Sequence, residues 1–105
     1  MVKLKPMRVG DELVVGIEVP LPKTTLLVIT TDLGYIMCGA LDIALLNEHL
    51  HDREIVAARA VGVKTLDDLL EAPLESVTHT AKKYGIRPGM TGRAALLQMI
   101  NKTPA

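Results

Sequence analysis

The sequence predicts an α+β domain. A mixed sheet of about five strands, formed by two N-terminal hairpins and one parallel strand-helix-strand crossover, is expected to be covered by a central helix and three C-terminal helices. Three observations carry this reading. Residues 2–31 hold aliphatic and β-branched runs broken by Gly10-Asp11 and Pro20-Leu21-Pro22. Residues 34–50 change from strand-like to helical spacing of apolar residues at Cys38. Beyond Lys64, helix caps and a 3.6-residue period take over.

Residues 2–9 and 12–19 read as the first hairpin around the Gly10-Asp11 turn, and Pro6 assigns the first run to a sheet edge. The Pro20-Leu21-Pro22 segment ends the pattern. Residues 24–31 form a third strand, whose continuous centre Leu26-Leu27-Val28-Ile29 predicts cover on both faces. Asp32-Leu33-Gly34 turns the chain into a short fourth strand, 35–37, giving the second hairpin. A helix over 40–51 follows, with Leu41, Ala44 and Leu45 on one stripe and Ile43, Leu46 and Leu50 on the next, wide enough to be buried on two sides. Residues 55–63 read as a fifth strand parallel to the fourth. Thr65 caps a short helix through Leu70, with Asp67 and Asp68 in its first turn. Pro73 opens the next helix, with Leu74, Val77, Ala81 and Tyr84 inward and Gly85 at its end. A last helix runs from Thr91 as cap to Asn101, with Leu96, Leu97 and Ile100 inward.

A chain of 105 residues is expected to form one domain, residues 1–105. Its 49% hydrophobic residues are aliphatics and Met, with two Tyr and no Phe or Trp, and its formal charge is zero. Neither nucleic acid nor a membrane surface is an expected partner, because the chain has no excess positive charge and few rings for base stacking. No apolar run approaches the roughly 18 residues of a membrane helix. One cysteine excludes an internal disulfide and no signal-peptide pattern is present, so the cytoplasm is the expected compartment. Charge is uneven: positions 32–75 carry nine acids and three bases, whereas positions from 76 onward carry five bases and no acid. The two regions are therefore expected to attract each other, most simply as a basic helical face near acidic loops, with a polyanion-binding face as the alternative.

The runs Gly34-Tyr35-Ile36-Met37-Cys38-Gly39-Ala40-Leu41-Asp42, Ala60-Val61-Gly62-Val63-Lys64-Thr65 and Ala72-Pro73-Leu74-Glu75-Ser76-Val77 resemble the YunC-like family of small bacterial and archaeal proteins. The resemblance spans nearly the whole chain and is most specific at Cys38–Asp42. It implies a compact α+β domain and brings no activity, substrate or cofactor with it.

Cys38 is the candidate nucleophile, since a thiol at a helix N-terminus has its thiolate favoured by the free amides and the dipole. Its alternative is an inert core residue. His49 and His51 sit at the far helix end, roughly 15 Å or more away at 1.5 Å per residue, leaving His79 as the candidate base. The turn lacks the glycines of a nucleophile elbow, with Ile36 and Ala40 in their places, and no phosphate or dinucleotide loop occurs, so no cofactor is implied. His49 and His51 point about 200° apart on a regular helix and so cannot share a metal ion with Asp52 except at a frayed helix end; no metal site is expected. Val61-Gly62-Val63 lacks the second glycine of a helix-hairpin-helix.

Arg59 interrupts an apolar strand and needs a partner. It either makes a structural ion pair, with Asp42 or Asp32, or floors a pocket for a carboxylate or phosphate. Parallel fourth and fifth strands bring Cys38-Gly39-Ala40 and Lys64-Thr65 to one sheet edge, so Gly39, Ala40, Asp42, Arg59, Lys64 and Thr65 are the candidate ligand-binding residues.

Three functions are therefore open: a non-catalytic module for a small anionic ligand or a partner, a thiol-dependent enzyme using Cys38, and a purely structural homo-oligomeric subunit. The expected partner is a second copy, most simply in a dimer. The helix with two apolar stripes and the continuous strand 26–29 offer more surface than four helices can cover.

Overall fold

The computed structural model describes residues 2–39, 42–48 and 50–101. Six strands form one sheet in sequence order: β1 (Lys3–Val9), β2 (Glu12–Leu21), β3 (Thr24–Thr30), β4 (Gly34–Met37), β5 (Val56–Arg59) and β6 (Ser76–Val77). Every neighbouring pair is antiparallel except β4 and β5. The α+β class, the two hairpins and the parallel crossover stand as the sequence predicts, and β6 is an additional strand.

Local chemistry sets each turn. Gly10, at φ 61°, and Asp11 make the two-residue turn between Val9 and Glu12. β2 runs through Pro20 to Leu21 instead of breaking there, and Pro22-Lys23 turns it into β3 with Lys23 at φ 66°. Pro20 is tolerated because it lies near the end of a two-residue hairpin, where few ladder bonds remain to be lost. The Thr31 hydroxyl accepts from the Leu33 and Gly34 amides and fixes the turn into β4. β5 stops at Arg59, well short of the expected 63, and the chain reverses through Gly62 at φ 76°.

The helices are α1 (Ile43–Glu48), α2 (Leu66–Glu71), α3 (His79–Lys83) and α4 (Gly92–Asn101), with a single 3-10 turn at His51–Arg53. α1 starts later than expected, because the Asp42 carboxylate accepts from the Leu45 amide as a helix cap. Thr65 caps α2 and Thr91 caps α4 as anticipated, each hydroxyl accepting a third-residue amide. The expected helix from Pro73 does not form: residues 76–77 pair with β5, and α3 starts only at its cap Thr78. Gly85, at φ 81°, closes α3 with the Gly85 and Ile86 amides donating back to the Lys82 and Ala81 carbonyls.

α2 and α4 lie on one sheet face, against β2 and β3 and against β1 and β4 respectively. There Val9, Ile29, Ile36, Leu69, Leu96 and Met99 are fully buried. At this layer a Cβ on Gly16 would stand 2.7 Å from the ends of the Leu66 and Met7 side chains, which would have to shift to make room. α4 turns Ala95 and Met99 inward and leaves Leu97 exposed, a rotation of the stripe expected from its sequence. On the opposite face α1 forms a smaller cluster, Ile43 and Leu46 over Ala57 with Tyr35, Leu50 and Ile55 at its margin. Its second stripe is not covered within the chain: Ala44 and Leu45 are exposed.

The acidic middle and basic end do meet within the chain. Arg93 donates from Nε and Nη2 to one Glu71 oxygen at 2.9 and 2.7 Å, and Lys83 lies 4.0 Å from Glu54. These pairs are exposed, so each is worth no more than about 1 kcal/mol.

Candidate functional site

Side chains at paired strand positions share a face, and the register fixes which residues meet at the carboxyl end of the parallel pair. Tyr35 opposite Ala57 points toward α1 and Ile36 opposite Ala58 toward α2 and α4, while Met37, paired with Arg59, packs against the larger cluster. Arg59 emerges on the α1 side at the end of β5. Its neighbour across the β5–β6 edge is the segment Glu75-Ser76, held by the Glu75 amide donating to the Arg59 carbonyl at 2.7 Å.

The Arg59 side chain is about one-third exposed. Nη1 lies 3.4 Å from Glu75 Oε1, a long contact, and that same oxygen accepts from the Ser76 hydroxyl at 2.6 Å. Nη2 reaches toward Gly39. Nε is buried and has no hydrogen-bond partner among the described residues. The ion-pair partner is therefore Glu75 and not Asp42 or Asp32. Asp42 is engaged as the cap of α1, and Asp32 sits in the turn before β4, at the opposite end of that strand.

Arg59 floors a cleft of about 490 Å³ between α1 and the β6–α3 segment. Lys82 and His79 line it with Arg59, facing the carboxylates of Asp42, Glu48 and Glu75. Asn47 ties its two walls together, its side-chain oxygen accepting the His79 amide at 2.9 Å. A depression of about 370 Å³ at the far end of the sheet carries Glu12 and Asp32 and no cation among its lining residues, so it is unsuited to an anion.

The remaining sequence candidates are distributed differently. Cys38 is buried among the residues facing α2 and α4, and its Sγ accepts the Leu27 amide at 3.5 Å. It is five positions before α1 begins, so it does not occupy a helix N-terminus. Lys64 and Thr65 precede α2, and they do not line the Arg59 cleft. There the Thr65 hydroxyl accepts the Asp68 amide and the Asp68 carboxylate accepts the Lys64 amide, so the chain's own side chains cap that helix start. Ala40 and His49 lie outside the described residues. Among the described residues no cluster of three or more His, Cys, Asp or Glu has metal-holding geometry. No helix among them is long and apolar enough to cross a membrane.

Sequence reasoning missed Glu75, Asn47, Lys82 and Thr78. The spacing of residues 73–84 fits one helix and so hides the strand that brings Glu75 to Arg59, while Lys82 lies in α3 at the rotation that the spacing predicts. Thr78 is buried, and its hydroxyl donates to the Ile55 carbonyl at 2.7 Å while accepting the Ala57 and Ala81 amides at 3.2 Å. It anchors α3 to β5 and so sets one wall of the cleft.

Residues 37–99 match the family model described as a domain of unknown function, DUF1805. The uncharacterized protein YunC of Bacillus subtilis (strain 168) is 56% identical over 100 residues, which cover 95% of this chain and 99% of that protein. Among solved structures, the crystal structure of a protein of unknown function, TA1206 from Thermoplasma acidophilum, matches with a TM-score of 0.83 and 31% identity, covering 94% of this chain and 93% of the other. All the residues lining the Arg59 cleft fall inside the family segment.

Proposed function

Since the chain belongs to the DUF1805 family, the YunC-like proteins, none of whose relatives above is described by an activity, we propose that it is a non-catalytic binding module whose Arg59 cleft takes a small molecule bearing a carboxylate or phosphate. The observation that carries this reading is Arg59 itself. It is a guanidinium with a buried Nε that has no partner among the described residues and one long contact to a carboxylate oxygen that Ser76 already holds. A carboxylate or phosphate satisfies the guanidinium better than the chain does, because bidentate geometry and two short charge-assisted bonds replace one weak contact. Lys82 and His79 add donors on the α3 side. The carboxylates facing them keep the cleft from being strongly positive, which suits a ligand with one anionic group and further donors.

Catalysis by the thiol is the weaker alternative. Cys38 is occupied as an acceptor in the core, on the sheet face away from the cleft. A free, buried cysteine also suits a reducing compartment, and the protein is placed in the cytoplasm in this proposal.

Titration with inorganic phosphate and with citrate at low ionic strength, followed by amide chemical shifts, tests the reading. Saturable shifts are expected at Gly39, Arg59 and Lys82, with affinity falling at least tenfold in Arg59→Met and partly retained in Arg59→Lys. Equal affinity of the wild type and Arg59→Met for both anions sinks it.

A further inference from the structure

β2 alternates in an unusual sense. Its odd positions from Leu13 to Leu21 are all aliphatic, whereas its even positions include Glu12, Gly16, Glu18 and Pro20. A strand covered on one side puts its aliphatic set toward the cover. Here the register sends the even set, with Val14 and Gly16, toward α2 and α4, and leaves the fully aliphatic set on the face that no described helix covers beyond α1. The neighbouring strands continue this surface: Leu4 opposes Ile17 on β1, and Val28 opposes Ile17 on β3. Leu4 and Leu13 are 69% and 65% exposed, and Val15 and Leu21 more than two-fifths. Arg8 is the single charged residue at the strand positions of this face from β1 to β4.

We infer that this face of β1–β3 is the stacking surface for a second copy of the chain, giving a dimer of two sheets packed face to face. Area, charge and edge chemistry all select that occupant. Three strands at about 4.8 Å spacing and about 27 Å along β2 give a projected plane of the order of 400 Å². Its rough accessible surface is then on the scale of the ~800 Å² per partner that a stable interface removes. The face is nearly uncharged, so its best complement is another uncharged, gently twisted sheet, which a second copy supplies by two-fold symmetry. The chain's zero formal charge opposes no such approach. Growth along the outer edge is disfavoured instead, because Pro6 removes an amide from β1, while Lys3, Lys5 and Arg8 charge that strand. α1 stands on the same face over β4 and β5 and forms a wall beside the stack, so the Arg59 cleft stays outside it.

Sedimentation equilibrium of the full chain at micromolar concentration tests the inference, with far-UV circular dichroism as the fold control. The expected mass is twice the 11.4 kDa of one chain. Leu13→Glu and Ile17→Glu are each expected to raise the dissociation constant at least tenfold. Leu13→Glu alone decides if the half-buried position does not tolerate a carboxylate. A wild type that stays at 11.4 kDa overturns the inference, and flotation of that monomer with phosphatidylcholine vesicles then gives the face a lipid occupant. A dimer that survives both substitutions overturns it as well. Phosphate binding at Arg59 is expected to persist in Leu13→Glu, which separates this result from the fate of the ligand reading.

Discussion

Replacing Thr78 by Val keeps the shape of the side chain and removes a hydroxyl that serves three backbone groups. The residue is 2% exposed, so water does not take over those bonds. Loss of the cap on α3, where the Ala81 amide donates at 3.2 Å, costs about 1 kcal/mol. The Ala57 amide and the Ile55 carbonyl, at 3.2 and 2.7 Å, lose a buried partner each, at about 1 kcal/mol or more apiece. The expected destabilisation is thus about 3–4 kcal/mol, a large share of the ~5–15 kcal/mol that holds a domain folded. With a urea slope of about 1.3 kcal/mol per M for a chain of this size, the midpoint moves down by about 2–3 M. Thr78→Ser keeps the hydroxyl and loses one buried methyl, so it is expected to cost only about 1 kcal/mol. Urea unfolding of the three proteins, followed by circular dichroism, distinguishes packing from hydrogen bonding. A Val variant as stable as the Ser variant refutes the argument, because it leaves the hydroxyl without energetic consequence.

Three further predictions follow from single observations. Cys38, buried and accepting an amide, is expected to react with a thiol reagent only in denaturant; rapid stoichiometric labelling of the native protein contradicts this placement. Because most of the Arg59 stem is covered, Arg59→Met is expected to be more stable than Arg59→Ala by about 1 kcal/mol, since both lose the charge but only Ala loses the packing; identical melting temperatures remove the claim. Burial pushes the Tyr35 hydroxyl above its ordinary value of 10.0, so the folded state holds this proton more tightly than the unfolded state. Stability from it is full below pH 10 and is lost as pH rises through the higher folded value. Tyr35→Phe is therefore expected to lose less stability than the wild type above that pH, and parallel melting profiles of the two from pH 8 upward argue against it.

Local signals read well wherever the deciding forces are local. Gly10-Asp11, the Asp32-Leu33-Gly34 turn, the Thr65 and Thr91 caps and Gly85 each act within four or five residues, and each stands where its side-chain chemistry puts it. The α+β class and the parallel β4–β5 crossover follow from the same signals, because the period of the apolar residues changes when the element does. Arg59 was legible as a charge in an apolar strand, and so as a group that needs an answer.

What answers it was decided by tertiary structure. Ser76-Val77 becomes a strand although its apolar spacing fits a helix, because β5 offers an open ladder and Thr78 supplies three bonds at the junction. That choice brings Glu75 to Arg59 and opens the cleft. Likewise Asp42 starts α1 late and leaves Cys38 to the core, a competition between a cap and a longer helix that residue spacing alone does not resolve. The aliphatic alternation of β2 was present in the sequence, but its sense was not. Only the register against β1 and β3, and the placement of α2 and α4, turn that set outward, because alternation gives two faces and packing alone selects which one is covered.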